Sequence, residues 1–104
     1  MKENYWSSAE GTSFHHVTVL TTPAKLIAVA EAYGSDYDDI NDGYGKSNFD
    51  FVFKTDDGHT FTVYDWKEYR PLGLNELTEF HIGAKNEYIS REAAWELENE
   101  LRDY

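Results

Sequence analysis

Two residues in the sequence carry the ingredients of acid–base chemistry: Asp65 in "FTVYDWKEY" and His81 in "TEFHIGA". Successive side chains of a strand point to opposite faces, so Asp65 falls in line with the apolar Phe61 and Val63, and Thr62, Tyr64 and Trp66 share the other side. A carboxylate among apolar neighbours is either buried or stands at the strand's exposed end. Burial would raise its pKa toward the range of a general acid or base. The alternative for such a buried carboxylate is to accept hydrogen bonds from a neighbouring turn. No Ser or Cys elbow, phosphate-cradling Gly loop or cationic clamp stands near either residue, so no catalytic residue is assigned.

Metal chemistry fares no better on sequence grounds. The histidines are His15, His16, His59 and His81, and none has the i, i+4 helical spacing that makes two nitrogens converge on zinc. His15 and His16 are adjacent in a strand and point apart. There is no cysteine, which removes thiolate sites and disulfides together. The stretch "DYDDINDG" invites comparison with a calcium loop: with Asp38 first, Asp42 and Gly43 fall correctly. Ile40 and Phe49 then occupy ligand positions, so the donor set is incomplete. The expectation is no metal and no cofactor.

What remains is surface charge. Twenty acidic residues against nine basic ones give a formal net charge of −11. That excess repels nucleic acid and anionic lipid and speeds encounter with basic surfaces. Lys67 and Arg70 are interrupted by Glu68 and make no phosphate-binding patch. Asp36, Asp38, Asp39 and Asp42 form a flexible anionic cluster suited to Arg and Lys on a partner. A second candidate contact is Trp95, about 165° from the apolar stripe of its helix at ~100° per residue. Glu92 and Glu98 flank it three residues away, and Arg91 and Arg102 dilute the charge there.

These residues must be positioned by one domain, since 104 residues suffice for one core and not for two. A polar leader of about 12 residues has no apolar segment typical of a secretion signal, and no run approaches the ~18 apolar residues of a membrane span. "SFHHVTVLTT" alternates as a strand. "TPAKLIAVAEAYG" reads as a helix with Thr22 as N-cap, Pro23 in the first turn and Gly34 as the stop. Residues 35–47 read as a loop. "NFDFVFKT" and the stretch after Asp57-Gly58 pair as a hairpin, "LTEFHIGA" returns as a strand ended by Gly83, and "SREAAWELENELRDY" is a helix capped by Ser90. The order β-α-β-β-β-α implies an α+β fold, an antiparallel sheet of about four strands with two helices packed on one face.

The stretch "DGHTFTVYDWKEY … LTEFHIGA" resembles small proteins encoded by tailed bacteriophages. In them a strand-turn-strand ends in Tyr-Asp-Trp-Lys, followed by a Trp-His-Ile-Gly-Gly-like strand and a final helix. The likeness spans roughly residues 14–101 and departs at Phe80 and Ala84. It implies a phage origin and a host-cytoplasmic location, and it carries no activity. Together these features predict a non-enzymatic interaction protein that occupies a basic surface of a host nucleic-acid or defence protein, with carboxylates standing in for DNA phosphates. Direct nucleic-acid or membrane binding is not expected. One competitor is a structural or assembly module, a homo-oligomer whose acidity serves solubility. The other is an enzyme using Asp65 and His81.

Overall fold

A computed structural model describes residues 1–3 and 9–104. The elements are β1 (Ser13–Thr21), α1 (Pro23–Ala32), β2 (Tyr37–Asp38), β3 (Asp50–Lys54), β4 (Thr60–Tyr64), β5 (Thr78–Ala84) and α2 (Glu87–Leu101). The five strands form one antiparallel sheet in the order β1-β5-β4-β3-β2. The α+β class and the helix pair agree with the sequence reading, and the sheet has one strand more than expected. The addition is β2, inside the segment read as a loop. It is two residues long, and one apolar ring cannot display a period.

One face of the sheet carries the core. Phe51 and Phe53 of β3 pair in register with Val63 and Phe61 of β4, and Val63 pairs with Ile82 of β5. Phe49, Phe51, Phe53, Phe61, Phe80 and Ile82 are fully or almost fully buried. Leu26, Val29 and Ala30 of α1 and Ile89, Ala93 and Leu97 of α2 join the same cluster, so both helices cover this face. At about 25 cal/mol per Å² of apolar surface, rows of phenylalanine supply the main driving force for closing the two layers.

The helix ends follow local chemistry. Thr22 Oγ1 accepts from the Lys25 amide at 3.3 Å and Pro23 occupies the first turn. The last helix starts earlier than expected: Asn86 Oδ1 takes the Ile89 amide at 2.8 Å and acts as N-cap. Ser90 is fully buried inside the helix, where its hydroxyl donates to the Asn86 carbonyl. An Asn and a Ser four residues apart are both good caps, and only packing decides between them. Tyr104, which helical spacing puts in line with Ala93, Leu97 and Leu101, lies beyond the helix end and is exposed.

Two glycines sit where a side chain has no room. Gly43 has φ +78°, and a Cβ there would lie 2.8 Å from Arg70 backbone atoms. Gly83 does not end β5. It lies within the strand, where a Cβ would strike Thr62 Oγ1 on β4. Of the predicted leader, residues 4–8 fall outside the described residues. Met1 packs against the core, and Lys2 bridges Lys54 on β3.

Candidate functional site

The helices leave the second face of the sheet uncovered, and the register writes a row of side chains across it. Asp38 of β2 pairs with Asp50 of β3, Asp50 with Tyr64 of β4, Tyr64 with His81 of β5, and His81 with Thr18 of β1. Two carboxylates therefore lead directly onto rings. Phe14 stacks on His81 at 4.1 Å between centroids, and Tyr64 meets His81 edge-on at 5.5 Å. Trp66, 41% exposed, stands edge-on to Tyr64 at 5.9 Å. A groove of about 530 Å³ runs along this face, with Asp38, Asp50, Thr62, Tyr64 and Trp66 among its walls.

The electrostatics of the row are unusual for a free surface. Like charges directly opposite in a ladder repel. Asp50 has its carboxyl pKa raised, by burial above all and then by the charges of Asp65 and Asp38, while a 2.7 Å hydrogen bond from Ser47 opposes the rise. Burial likewise lifts the Tyr64 phenol, with Asp50 adding to it. His81 moves the other way: burial lowers its pKa, and Glu79 offsets part of that. At the far end, the ammonium groups of Lys46 and Lys67 lie 5.7 and 5.5 Å from the Trp66 ring centre. The ring thus already presents a cation-binding face.

The acidic segment is ordered, contrary to the expectation of a flexible cluster. Fully buried Asp65 accepts hydrogen bonds from the amides of Asn48 and Phe49, both at 2.8 Å, and from Asn48 Nδ2 at 3.0 Å. Asn48 in turn holds the Gly43 amide and the Arg70 carbonyl. Asn41 exchanges two hydrogen bonds with the backbone of Leu72. Asp65 is thus the turn acceptor described among the alternatives. It faces the core while His81 faces outward, so these two residues cannot act together in catalysis.

Asp36, Asp38, Asp39 and Asp42 are all exposed, and among the described residues none of them is in an ion pair. They do not converge on one point. Asp36 and Asp38 border a shallow groove of about 120 Å³ with Asp50. Asp39 acts on Tyr37, whose phenol is raised by burial and by Glu31 as well as Asp39. Asp42 folds back to accept from the Tyr44 amide at 3.0 Å. Ile40, at a would-be calcium ligand position, is exposed, and Phe49 is buried.

The α2 group is divided as well. Trp95 is 68% exposed and looks away from the sheet. Glu98 lies on the flank toward β1, bordering a groove with Leu20 and Arg102. Glu92 does not share that side: it is half-buried and turned to His59 at the β3–β4 turn, 3.6 Å away. Since α2 covers the core face, Trp95 and the Asp38–Asp50 pair stand on opposite sides of the molecule.

Sequence reasoning missed Asp50, Tyr64 and Trp66 as members of a site. Alternation had already placed Tyr64 and Trp66 on one face, and both helices were expected on one side of the sheet; the missing knowledge was the register that sets Asp38 and Asp50 beside these rings. The chain matches no protein-family model, no curated protein and no solved structure. No helix among the described residues is long and apolar enough to cross a membrane.

Proposed function

We propose that this is an acidic interaction protein of phage type that holds a basic surface of a host nucleic-acid-handling or defence protein, and that the uncovered sheet face is its contact. The observation that supports this most is the in-register row from Asp38 and Asp50 onto Tyr64 and His81, with Trp66 beside it. An arginine entering the groove meets carboxylates for its guanidinium fork and rings for its planar face. Lysine would gain the charge and less of the stacking. Long-range attraction from the net charge of −11 would speed encounter, and the desolvated row would set the lifetime of the complex. Asp36, Asp39 and Asp42 widen the attractive field around the row, and exposed Trp95 belongs to a separate face.

The test uses the full chain as bait in bacterial lysate, washed over a salt gradient and challenged with duplex DNA. The expected result is a basic nucleic-acid or defence protein released by salt, displaced by DNA, and not retained by Asp38→Lys/Asp50→Lys or Trp66→Ala. Recovery of the bait alone as a stable oligomer, or a partner held equally by these variants, overturns the reading. Conversion of a metabolite by purified protein overturns it too.

A further inference from the structure

Away from the uncovered face, the geometry points to a divalent transition-metal site formed by Asp57, His59 and Glu92. Each of the three offers one ligand atom, and these atoms lie within 4.8 Å of one another. The site joins two elements distant in sequence. Asp57 and His59 flank Gly58 in the β3–β4 turn, where Gly58 has φ +86° and its amide bonds the Thr55 carbonyl at 2.9 Å. His59 is fixed by two further bonds, its amide to Thr55 Oγ1 at 3.0 Å and its carbonyl accepting from the Thr55 amide at 2.9 Å. Glu92 comes from the flank of α2 that faces this turn.

The second, independent observation concerns Glu92 itself. Its Oε1 is buried from solvent and has no hydrogen-bond partner among the described residues. The nearest opposite group, His59 Nδ1, is 3.6 Å away, too long for a hydrogen bond. The neighbouring carboxylate one turn on, Glu96, shows what docking of the turn requires: its Oε1 accepts the Asp56 amide at 3.0 Å. The turn is therefore anchored to α2 by Glu96, and Glu92 has no such task. A buried oxygen without a hydrogen bond is costly, and a neutral His59 at this distance does not satisfy it, so its retention asks for a positive ligand.

The distances suit an ion. Two donor atoms each about 2.1 Å from one metal stand roughly 3–4 Å apart, and His59 Nδ1 and Glu92 Oε1 already do. Asp57 and His59 are exposed, so rotation of their side chains closes the remaining gap. One imidazole with two carboxylates favours Zn²⁺ or a neighbouring first-row ion over Ca²⁺ or Mg²⁺, which prefer all-oxygen shells. Remaining coordination positions open toward solvent. His59 also borders a cleft of about 390 Å³, lined by Thr12 and Lys85 among others.

The experiment titrates metal-stripped full-length protein with Zn²⁺ by calorimetry and with Co²⁺ by visible absorption. The expected result is one saturable ion per chain and a Co²⁺ spectrum unlike that of the hydrated ion. His59→Ala and Glu92→Gln each weaken binding at least about tenfold, no less than loss of an outer-shell partner does. Asp38→Asn/Asp50→Asn, which removes charge elsewhere, leaves it unchanged. Absence of saturation, a hydrated-ion spectrum, or equal binding by His59→Ala and Glu92→Gln overturns the proposal and leaves His59 and Glu92 as an ion pair only.

Discussion

Replacing Asp50 by Asn removes a charge that burial and the carboxylates of Asp65 and Asp38 make costly on the uncovered face. Asp38 and Asp50 are directly opposed in the ladder, where side chains of a pair stand about 4.5–5.5 Å apart at Cβ. Asn keeps the oxygen that accepts from Ser47 and removes the charge. The Asp50 pKa is raised in the fold, by burial first and then, against the Ser47 bond, by Asp65 and Asp38. A raised folded-state pKa means a stabilising contribution below the unfolded value of about 3.8 that is lost as pH rises through the folded value. Ionised Asp50 thus costs stability at neutral pH.

Asp50→Asn is expected to be the more stable protein at pH 7, by about 0.2–1 kcal/mol. Neighbouring groups partly desolvate the Asp50 carboxylate, yet its side chain stays exposed enough for water to screen the repulsion, which favours the lower half of that range. For a domain of this size the gain reads as a rise of about 1–4 °C in Tm. Urea unfolding at pH 7 and pH 2.5, and at low and high salt, measures it. The gain should shrink with salt and vanish at pH 2.5, where both states carry protonated carboxyls. A variant less stable at pH 7, or a gain that persists at pH 2.5, would refute the ionised carboxylate as the cause, and a gain indifferent to salt would assign it to burial instead of repulsion.

Two further substitutions probe the clasp that orders the acidic segment. Asp65→Asn turns one acceptor oxygen into a donor facing amide donors, so a loss on the order of 3 kcal/mol or more is expected, seen as a lower urea midpoint. Gly43→Ala places a Cβ against Arg70 at a positive φ and should cost about 2 kcal/mol or more, with amide NMR shifts confined to the neighbourhood of residues 41–48 and 65–72.

The parts of the fold legible in the sequence were those governed by local periodicity. Phe49, Phe51 and Phe53 announced one face of β3, Asp57-Gly58 announced the hairpin, and Thr22 with Pro23 announced the start of α1. Alternation also put Asp65 in line with Phe61 and Val63, with burial and an exposed strand end both open. What it could not supply was Asp65's partner: Asn48 lies 17 residues away, and only the fold brings them together. β2 escaped because Tyr37 and Asp38 become a strand by pairing with Phe51 and Asp50, not by their own pattern. Glu92 escaped for a similar reason. Helical spacing put it beside Trp95 on the polar side, and the β3–β4 turn, invisible to that spacing, half-buries it.

The two edges of the sheet bear on whether solubility alone explains the charge. β1 is the long edge, nine residues with exposed Leu20 and no carboxylate. Its protection against strand pairing is a bulge, where the register shifts between Phe14 and Thr18 and His16 has φ +64°. β2 is two residues long and offers little for another strand to pair with, yet here Asp38 and Asp50 are set in mutual repulsion. A repelling pair placed where aggregation threatens least, at a cost to folding, is poorly accounted for as protection. It is accounted for if a cation settles between Asp38 and Asp50, because binding then removes the repulsion that folding had to bear. The two effects are linked quantitatively: the stability that Asp50→Asn gains in the free protein should reappear, at the least, as affinity lost when the same variant meets the basic partner proposed above.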